Sequence, residues 1–260
     1  MSLFFKLAKA VNNINISPFL KRKLITLVIK INNALVDMKK SSKVHLSGLQ
    51  ELDEIIIKSQ ERTVINDHLS SLFIESLRTN PKLIVELGVE TGQSTFALER
   101  VARLCNSKLV SVDLEDCSNA CQWEDWIFIK KDDLEFSKMF ISWCKKNDII
   151  PEIDILFIDT DHHYEQTIKE IRQWFPYLSK KAKGFFHDSN VKPVYRRKDG
   201  SIGTAPDYQR GVIRALEEYL TGSFNEEEDF IALRNGWLIK HWANCNGFTM
   251  LEKIEAFVNR

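Results

Sequence analysis

Residues 83–95 read LIVELGVETGQST, an apolar strand-like run followed by a turn with two glycines and then by polar residues that favour a helix. Three residues separate Gly88 from Gly92. Glycine lets the backbone turn sharply and approach a ligand with no Cβ in the way. Open α/β sheets bind their ligands at such strand ends. The stretch therefore predicts an α/β fold with a ligand site at this turn.

The spacing of the two glycines indicates which kind of ligand the turn favours. A dinucleotide turn has the spacing GxGxxG and places a diphosphate at the helix N-terminus, whereas the spacing here is GxxxG. Glu86 at the strand tip is a poor neighbour for a diphosphate and suits an ammonium or sulfonium group. The turn thus favours a ligand with an amino-acid end, and a nicotinamide-dependent oxidoreductase remains the alternative.

Strand-like and helix-like segments alternate along the chain, which is typical of a parallel sheet flanked by helices. The predicted helices include segments after Gly92, around Leu134–Cys144 and after Tyr164, with an apolar face that continues to Leu178. The five predicted strands are Leu83–Glu86, Leu109–Asp113, Trp126–Ile129, Ile153–Asp159 and Gly184–His187.

The pattern changes beyond residue 190. Val191–Tyr208 is rich in glycine, proline and charge and predicts a long loop, either a lid over an acidic acceptor or a solvated surface loop. Phe230–Leu233 and Trp237–Lys240 flank an Asn-Gly pair and predict a hairpin, and Phe248–Val258 predicts a terminal helix. The expected fold is a Rossmann-like, doubly wound α/β sheet of seven strands, the last antiparallel, with an N-terminal helical extension.

The N-terminal extension contains one amphipathic helix. Ser17-Pro18 marks its start, and apolar residues recur at three- and four-residue spacing up to Met38. The helix is also cationic. Packing on the domain or on a second subunit, which includes a homodimer, is the preferred interpretation, and a membrane-surface helix is the alternative. The predicted organisation is an extension over residues 1–45 and a catalytic domain over 46–260.

Composition narrows the class of protein. The 36 basic and 36 acidic residues balance, so no global field favours nucleic acid. No apolar run approaches the ~20 residues that a transmembrane helix requires. The five cysteines form no CxxC pair, which favours free thiols in a reducing compartment. With no recognisable signal peptide, the expected location is the cytoplasm.

Two acidic residues follow the second and third predicted strands. Asp113 ends the second strand, 21 residues beyond Gly92, where a carboxylate can accept hydrogen bonds from ribose hydroxyls. Asp132 follows the third strand, where an acid can bind an adenine amino group. Each feature alone is weak, but their order along the chain predicts a nucleoside-containing ligand.

Three segments carry a family resemblance: ELGVETGQST (86–95), SVDLED (111–116) and FIDTDHHYEQTIKEIRQWFPYLSKKAKGFFHDS (157–189). They resemble the class I S-adenosylmethionine-dependent methyltransferases, in particular a branch with an (I/V)DxDHxYE segment and a terminal HDS that includes many sugar and natural-product O-methyltransferases. The resemblance covers about residues 60–240. It departs from that pattern at Thr160, where glycine is usual, and at Lys131, where a small residue is usual.

The resemblance implies residue roles in binding S-adenosylmethionine. Asp113 would hold the ribose and Asp132 the adenine edge. The residues implied at the methionine end are Glu86, Gly88, Gly92 and Ser94.

Acids and histidines follow the fourth and fifth strands, in the segments 159–163 and 187–188. Neighbouring parallel strands bring these segments to one edge of the sheet, beside the glycine turn. Hard oxygen ligands there suit Mg²⁺ or Mn²⁺, and a histidine can take a proton from a hydroxyl. As the alternative, the acids cap helices and turns and the histidines face solvent. The candidate metal ligands are Asp159 and Asp188, and the candidate catalytic residues are Asp159, His163 and His187.

The predicted activity is transfer of a methyl group from S-adenosylmethionine to a hydroxyl oxygen of a small molecule, sugar or glycan, with metal assistance. Methyl transfer needs in-line placement, and the remaining need is to deprotonate the hydroxyl. The alternatives are a binding or scaffold protein that has the fold without catalysis, the oxidoreductase named above, and a metal-dependent hydrolase that does not use S-adenosylmethionine.

Overall fold

The computed structural model describes residues 3–39 and 44–254. The strands in these ranges are β1 (Leu83–Leu87), β2 (Lys108–Asp113), β3 (Trp126–Lys130), β4 (Ile153–Ile158), β5 (Leu178–His187), β6 (Tyr195–Arg196), β7 (Ile202–Gly203), β8 (Phe230–Arg234), β9 (Trp237–Trp242) and β10 (Phe248–Lys253). The helices are α1 (Leu3–Asn13), α2 (Pro18–Lys39), α3 (Gln50–Lys58), α4 (Leu69–Thr79), α5 (Gln93–Cys105), α6 (Asp133–Lys146), α7 (Tyr164–Trp174) and α8 (Gly211–Leu220).

The main sheet has eight strands in the order β3-β2-β1-β4-β5-β10-β9-β8. Its first five strands are parallel, and β10 pairs antiparallel with β5 and with β9. The order reverses between β1 and β4, which is the switch point where doubly wound sheets bind ligands. The predicted α/β fold is therefore confirmed, and it places the loops after β1, β4 and β5 side by side.

The terminal helix predicted over Phe248–Val258 is wrong within the described residues, because Phe248–Lys253 form β10; residues 255–258 lie outside the described part of the chain. Both faces of β10 are apolar. Phe248 and Met250 pack in the core cluster on one face of the sheet and Leu251 in the cluster on the other. The predicted hairpin forms β8 and β9, and β10 is therefore the strand that takes the main sheet beyond the seven predicted.

The helical face predicted to continue to Leu178 ends earlier. Helix α7 ends at Trp174, a short 3-10 turn covers Phe175–Tyr177, and Leu178 begins β5. Phe175 and Leu178 remain in the core cluster with Ile168. Burial of both residues was thus predicted correctly, whereas their assignment to one helix was not.

Helices α1 and α2 form a hairpin that packs on the β6–β7 pair. Its small core joins α1 and α2 to Val194 and Ile202. The side chain of Asn33 binds both the N–H (2.8 Å) and the carbonyl (3.1 Å) of Ile202, and Asn32 donates to the carbonyl of Gly200. The segment 191–208, predicted as one loop, therefore contains a short antiparallel pair that anchors the N-terminal helices.

None of the helices in residues 3–39 and 44–254 is both long enough and apolar enough to cross a membrane.

Candidate active site

The turn after β1 approaches the loop after β4 so closely that only glycine fits. Gly88 has a φ of +86°, and a Cβ at this position would lie 2.0 Å from the carbonyl oxygen of Asp159. Gly92 has a φ of +75°, and its Cβ would lie 2.9 Å from Ala120. Both glycines satisfy a steric requirement, and the first of them joins two parts of the site.

Glu86 lies beneath this turn and is fully buried. Its carboxylate accepts hydrogen bonds from the hydroxyls of Ser94 (2.6 Å), Thr95 (2.9 Å) and Ser111 (2.5 Å). Burial raises the pKa of Glu86 to about 7, although the three hydroxyls oppose this shift. Through these hydrogen bonds, Glu86 links the start of α5 to β2.

Asp113 ends β2, where the sequence predicted it, and its carboxylate holds the glycine turn. One oxygen accepts from the N–H of Val89 (2.7 Å) and Glu90 (3.2 Å), and the other accepts from Glu115 N–H (2.8 Å). Burial opposes ionisation of Asp113, but the backbone donors lower its pKa below the usual value. Its predicted contact with a ribose remains a prediction.

Asp132 is the N-cap of α6 and accepts a hydrogen bond from Glu135 N–H at 2.9 Å. Capping satisfies one of the free N–H groups at a helix start. Asp132 also lines the site cavity. Its position thus allows the predicted adenine contact, which remains a prediction.

The loops after β4 and β5 bring four side chains together. One donor atom each from Asp159, His162, His187 and Asp188 lies within 4.8 Å of the other three. His162 Nε2 is 2.9 Å from Asp159 Oδ1 and 3.0 Å from Asp188 Oδ2. His187 Nδ1 is 3.1 Å from Asp159 Oδ1 and 3.2 Å from Asp188 Oδ1. Two imidazoles therefore face two carboxylates around one point.

A backbone carbonyl on the side of the ring away from the carboxylates orients His187. Its Nε2 lies 3.2 Å from the carbonyl oxygen of Val64, so a proton on Nε2 donates to that carbonyl while Nδ1 faces the carboxylates. Burial opposes a charge on His187, but Asp159 and Asp188 raise its pKa to about 9. The imidazoles of His187 and His162 in turn hold the pKa of Asp159 below its usual range, against the effect of burial.

The backbone at two cluster residues adopts the left-handed region. His162 has a φ of +63° and Asp188 a φ of +56°. Non-glycine residues with such angles are uncommon and cluster at functional sites. The ring of Tyr208 lies 5.0 Å from that of His162 and covers it on one side. Two of the four cluster residues thus adopt an uncommon backbone conformation, and one of them packs against Tyr208.

His163, which was selected from the sequence together with His187, lies outside the cluster. Its side chain is exposed and contacts Asp161, and α7 starts one residue later. The positive φ at His162 turns that neighbouring side chain inward instead. Two adjacent histidines are equivalent in a sequence pattern, so only the backbone conformation distinguishes them.

The glycine turn and the cluster border the same cavity, whose volume is about 510 Å³. That size lies within the range of roughly 300–1,000 Å³ typical of small-molecule sites. Glu86, Gly92, His163 and His187, although predicted at the site, are not among the lining residues. The predicted residues that line the cavity are Gly88, Ser94, Asp113, Asp132, Asp159 and Asp188, together with His162.

Comparison with known proteins agrees with this geometry. Residues 85–189, which run from β1 to the end of the cluster, match the sequence model of a methyltransferase domain family. The match favours the predicted methyltransferase over the oxidoreductase alternative. No curated protein matches the sequence significantly.

Solved structures share the fold. An O-methyltransferase from Bacillus cereus in complex with SAH is 13% identical, covers 86% of this chain and 99% of its own, and has a TM-score of 0.51. A methyltransferase from Geobacter sulfurreducens is 14% identical, covers 87% of this chain and 97% of its own, and has a TM-score of 0.50. At this level of identity, the likeness establishes the fold alone.

Proposed function

We propose that this chain, whose residues 85–189 match the sequence model of a methyltransferase domain family, uses S-adenosylmethionine to methylate a hydroxyl oxygen of a small molecule or sugar with the help of a divalent cation. One observation carries the proposal. A single cavity is bordered by the glycine turn and by the Asp159–His162–Asp188 side of the cluster. A methyl donor on the turn would therefore lie beside the groups that bind and deprotonate an acceptor.

The donor side of the cavity fits S-adenosylmethionine. Gly88 and Ser94 both line the cavity at the turn. Asp113 fixes the turn in place through the N–H groups of Val89 and Glu90. A fixed turn holds the donor in one orientation, which is the main requirement of methyl transfer. The relative from B. cereus was solved with SAH, which supports the same donor class here.

The cluster fits a divalent cation by the chemistry of its donors. It offers two carboxylates and two imidazole nitrogens. Imidazole suits transition metals better than Mg²⁺, which prefers oxygen ligands, so Mn²⁺ is the better candidate of the two cations expected. The Val64 carbonyl orients His187 in the way that supporting groups orient metal-bound histidines. Because such a ligand must be neutral, His187 would lose its second proton on binding a cation.

A cation in this position would lower the pKa of an acceptor hydroxyl. The protein side chains supply the remaining functions. Asp159 and Asp188 bind and orient the polar end of the acceptor next to the donor. Where no cation is bound, the two carboxylates raise the pKa of His162 against the effect of burial, so His162 Nε2 carries a proton that it would lose on binding a cation. The ring of Tyr208 packs against one side of the His162 ring.

The test uses two adjacent histidines as a matched pair. His162→Ala removes a cluster group, whereas His163→Ala removes an exposed side chain of the same type. His162→Ala is expected to weaken Mn²⁺ binding by at least the 10–100-fold that loss of a supporting group costs. It should also lower methyl transfer to a panel of sugars and phenols by at least a hundredfold. His163→Ala should match the wild type, and both variants should retain affinity for S-adenosylhomocysteine in calorimetry.

Different results contradict different parts of the proposal. A wild-type protein that binds no S-adenosylhomocysteine contradicts the donor assignment. Normal donor binding and turnover that is insensitive to EDTA contradict the metal, and loss of turnover in His162→Ala then assigns proton transfer to histidine. Equal behaviour of the two histidine variants contradicts the assignment of the cluster as the acceptor site.

A further inference from the structure

Helix α2 exposes a continuous line of large apolar side chains, here named the apolar stripe. Their exposed fractions range from 36% at Leu24 to 83% at Met38. Neighbouring members are three or four residues apart, so they lie on one face of the helix. Exposed apolar surface of this extent marks an interaction site. The members of the apolar stripe are Leu20, Leu24, Leu27, Ile31, Leu35 and Met38.

The apolar stripe is distinct from the face with which α2 packs on the protein. Ile25, Val28 and Asn32 are the buried residues of the helix. The two apolar ones join the core formed with α1 and the β6–β7 pair, and Asn32 bonds to Gly200. At 100° per residue, the centre of the buried face lies about a quarter of a turn from the centre of the stripe. Helix α2 therefore packs on its own domain through one face and leaves a second, apolar face exposed to solvent.

Positive charge borders the apolar stripe. Residues 1–39 contain seven basic residues and one acidic residue, whereas residues 40–260 contain 29 basic and 35 acidic residues. Lys23 and Lys30 are exposed along one edge of the stripe, and Lys39 is exposed at the other. The single acid, Asp37, pairs with Arg62 at 2.7 Å. The surface that carries the stripe is thus almost purely cationic.

This combination discriminates between two occupants. A second copy that packed its own apolar stripe against this one would bring the two lysine-bearing edges together, and like charges at close range oppose such pairing. An anionic bilayer surface accepts both features, because apolar side chains enter the acyl boundary while the lysines contact lipid phosphates. We propose that the α1–α2 hairpin docks this protein on anionic membrane surfaces through the apolar stripe.

Helix α1 contributes to the same docking element. Leu3 and Leu7 are exposed on it at 75% and 46%, and Lys6 and Lys9 are exposed beside them. The apolar residues that α1 buries, Ala8 and Val11, face the hairpin core. Both helices thus share the arrangement of a packed face, an exposed apolar face and lysines, which is typical of helices that lie in the plane of a membrane interface.

Flotation of the full-length protein with vesicles tests the proposal. Wild type is expected to float with vesicles of phosphatidylglycerol and phosphatidylcholine, weakly with phosphatidylcholine alone, and less at 0.5 M salt because salt screens exposed charge. The double variant Lys23→Glu/Lys30→Glu should bind anionic vesicles at least roughly 30-fold more weakly, since each basic residue near the surface contributes roughly fivefold. Leu27→Asp/Ile31→Asp should abolish binding.

Two matched variants on α6 are the controls. Lys145→Glu/Lys146→Glu makes the same change of charge, and Ile141→Asp places an acid at another exposed apolar position. Both should float like wild type. Thermal melting followed by circular dichroism establishes that every variant is folded. The measurement is independent of methyl transfer, so it stands whether or not the proposed function holds.

Three outcomes overturn the proposal. The first is a folded wild type that does not float with anionic vesicles. The second is an equal loss of flotation in the α2 and α6 charge variants, which would indicate non-specific attraction. The third combines three results: wild type is a dimer in light scattering, Leu27→Asp/Ile31→Asp is a monomer, and wild type does not bind vesicles. These results together would assign the apolar stripe to a second copy.

Discussion

The backbone of the donor turn and the backbone of the acceptor cluster meet at Gly88. The position that a Cβ would take lies 2.0 Å from the Asp159 carbonyl oxygen, and Asp159 N–H donates to the carbonyl of Leu87 at 2.9 Å. The two loops therefore form one backbone unit. A change in one of them displaces the other.

Gly88→Ala should consequently weaken donor binding and Mn²⁺ binding together. The methyl group must push the Asp159 backbone away, in addition to the roughly 1–2 kcal/mol that a left-handed backbone costs a residue with a Cβ. Gly48→Ala is the control, because Gly48 has a φ of +84° and a Cβ there would meet nothing within 4 Å, so this variant reports the backbone cost alone. Calorimetry with S-adenosylhomocysteine and Mn²⁺ measures both effects. Retention of Mn²⁺ affinity in Gly88→Ala would contradict the coupling.

Glu86 predicts a pH dependence of stability. Its pKa in the folded protein is about 7 because of burial, against 4.5 as the ordinary value. Below pH 4.5 the group is protonated in both states and contributes nothing. As the pH rises to 7, the unfolded chain ionises and the folded protein does not, so stability falls, by up to about 3 kcal/mol, and then levels off.

Glu86→Gln removes this titration. The free energy of unfolding of wild type relative to Glu86→Gln should therefore fall between pH 4.5 and pH 8. Urea unfolding at several pH values measures it, with the exposed Glu90→Gln as the control. A difference that is independent of pH would show that the three hydroxyl donors stabilise the carboxylate as much as burial disfavours it.

At the scale of single residues, the sequence predicted six of the residues that line the cavity but not their hydrogen-bond partners. Strand ends and glycine spacing were enough to select Asp113 and Asp159. That Asp113 binds the backbone of the turn, and that Ser111 donates to Glu86, depend on the parallel register of β1 with β2. Register joins distant positions, so it cannot be read from a local pattern.

At the scale of elements, β10 shows where periodicity is ambiguous. In the segment 248–258, apolar residues recur at helical spacing, which led to the predicted helix. A central strand covered on both faces is also a short apolar run, and the two cannot be separated by pattern alone. The deciding contacts, pairing of Phe248 with His187 and of Thr249 with His241, come from other parts of the chain.

Two leucines of the terminal hairpin region test this assignment. Leu251 is fully buried in β10, whereas Leu233 in the edge strand β8 is 60% exposed. Leu251→Ala should lower the free energy of unfolding by about 2–5 kcal/mol, as large-to-small changes in a core do. Leu233→Ala should change it by about 0.5 kcal/mol or less. Comparable urea midpoints for the two variants would contradict a central position for β10.

At the scale of the whole molecule, alternation of strands and helices predicted the five parallel strands of the sheet correctly, since that pattern is distributed over most of the chain. The surface on which the N-terminal helices pack could not be predicted from the sequence. Helix α2 binds residues 200 and 202 through two asparagines, across about 170 positions of sequence. The division into an extension over residues 1–45 and a domain over 46–260 remains a proposal.

The separation of charge between the N-terminal hairpin and the rest of the chain has a consequence at the bench. From a net charge of zero at pH 7, one would expect a protein that does not bind to ion-exchange resins. Retention follows local patches, however, and residues 1–39 offer a cationic patch while the remainder carries an excess of acid. The protein should therefore be retained at neutral pH on resins of either sign, through different parts of its surface, and removal of the hairpin should abolish retention on the cation exchanger only.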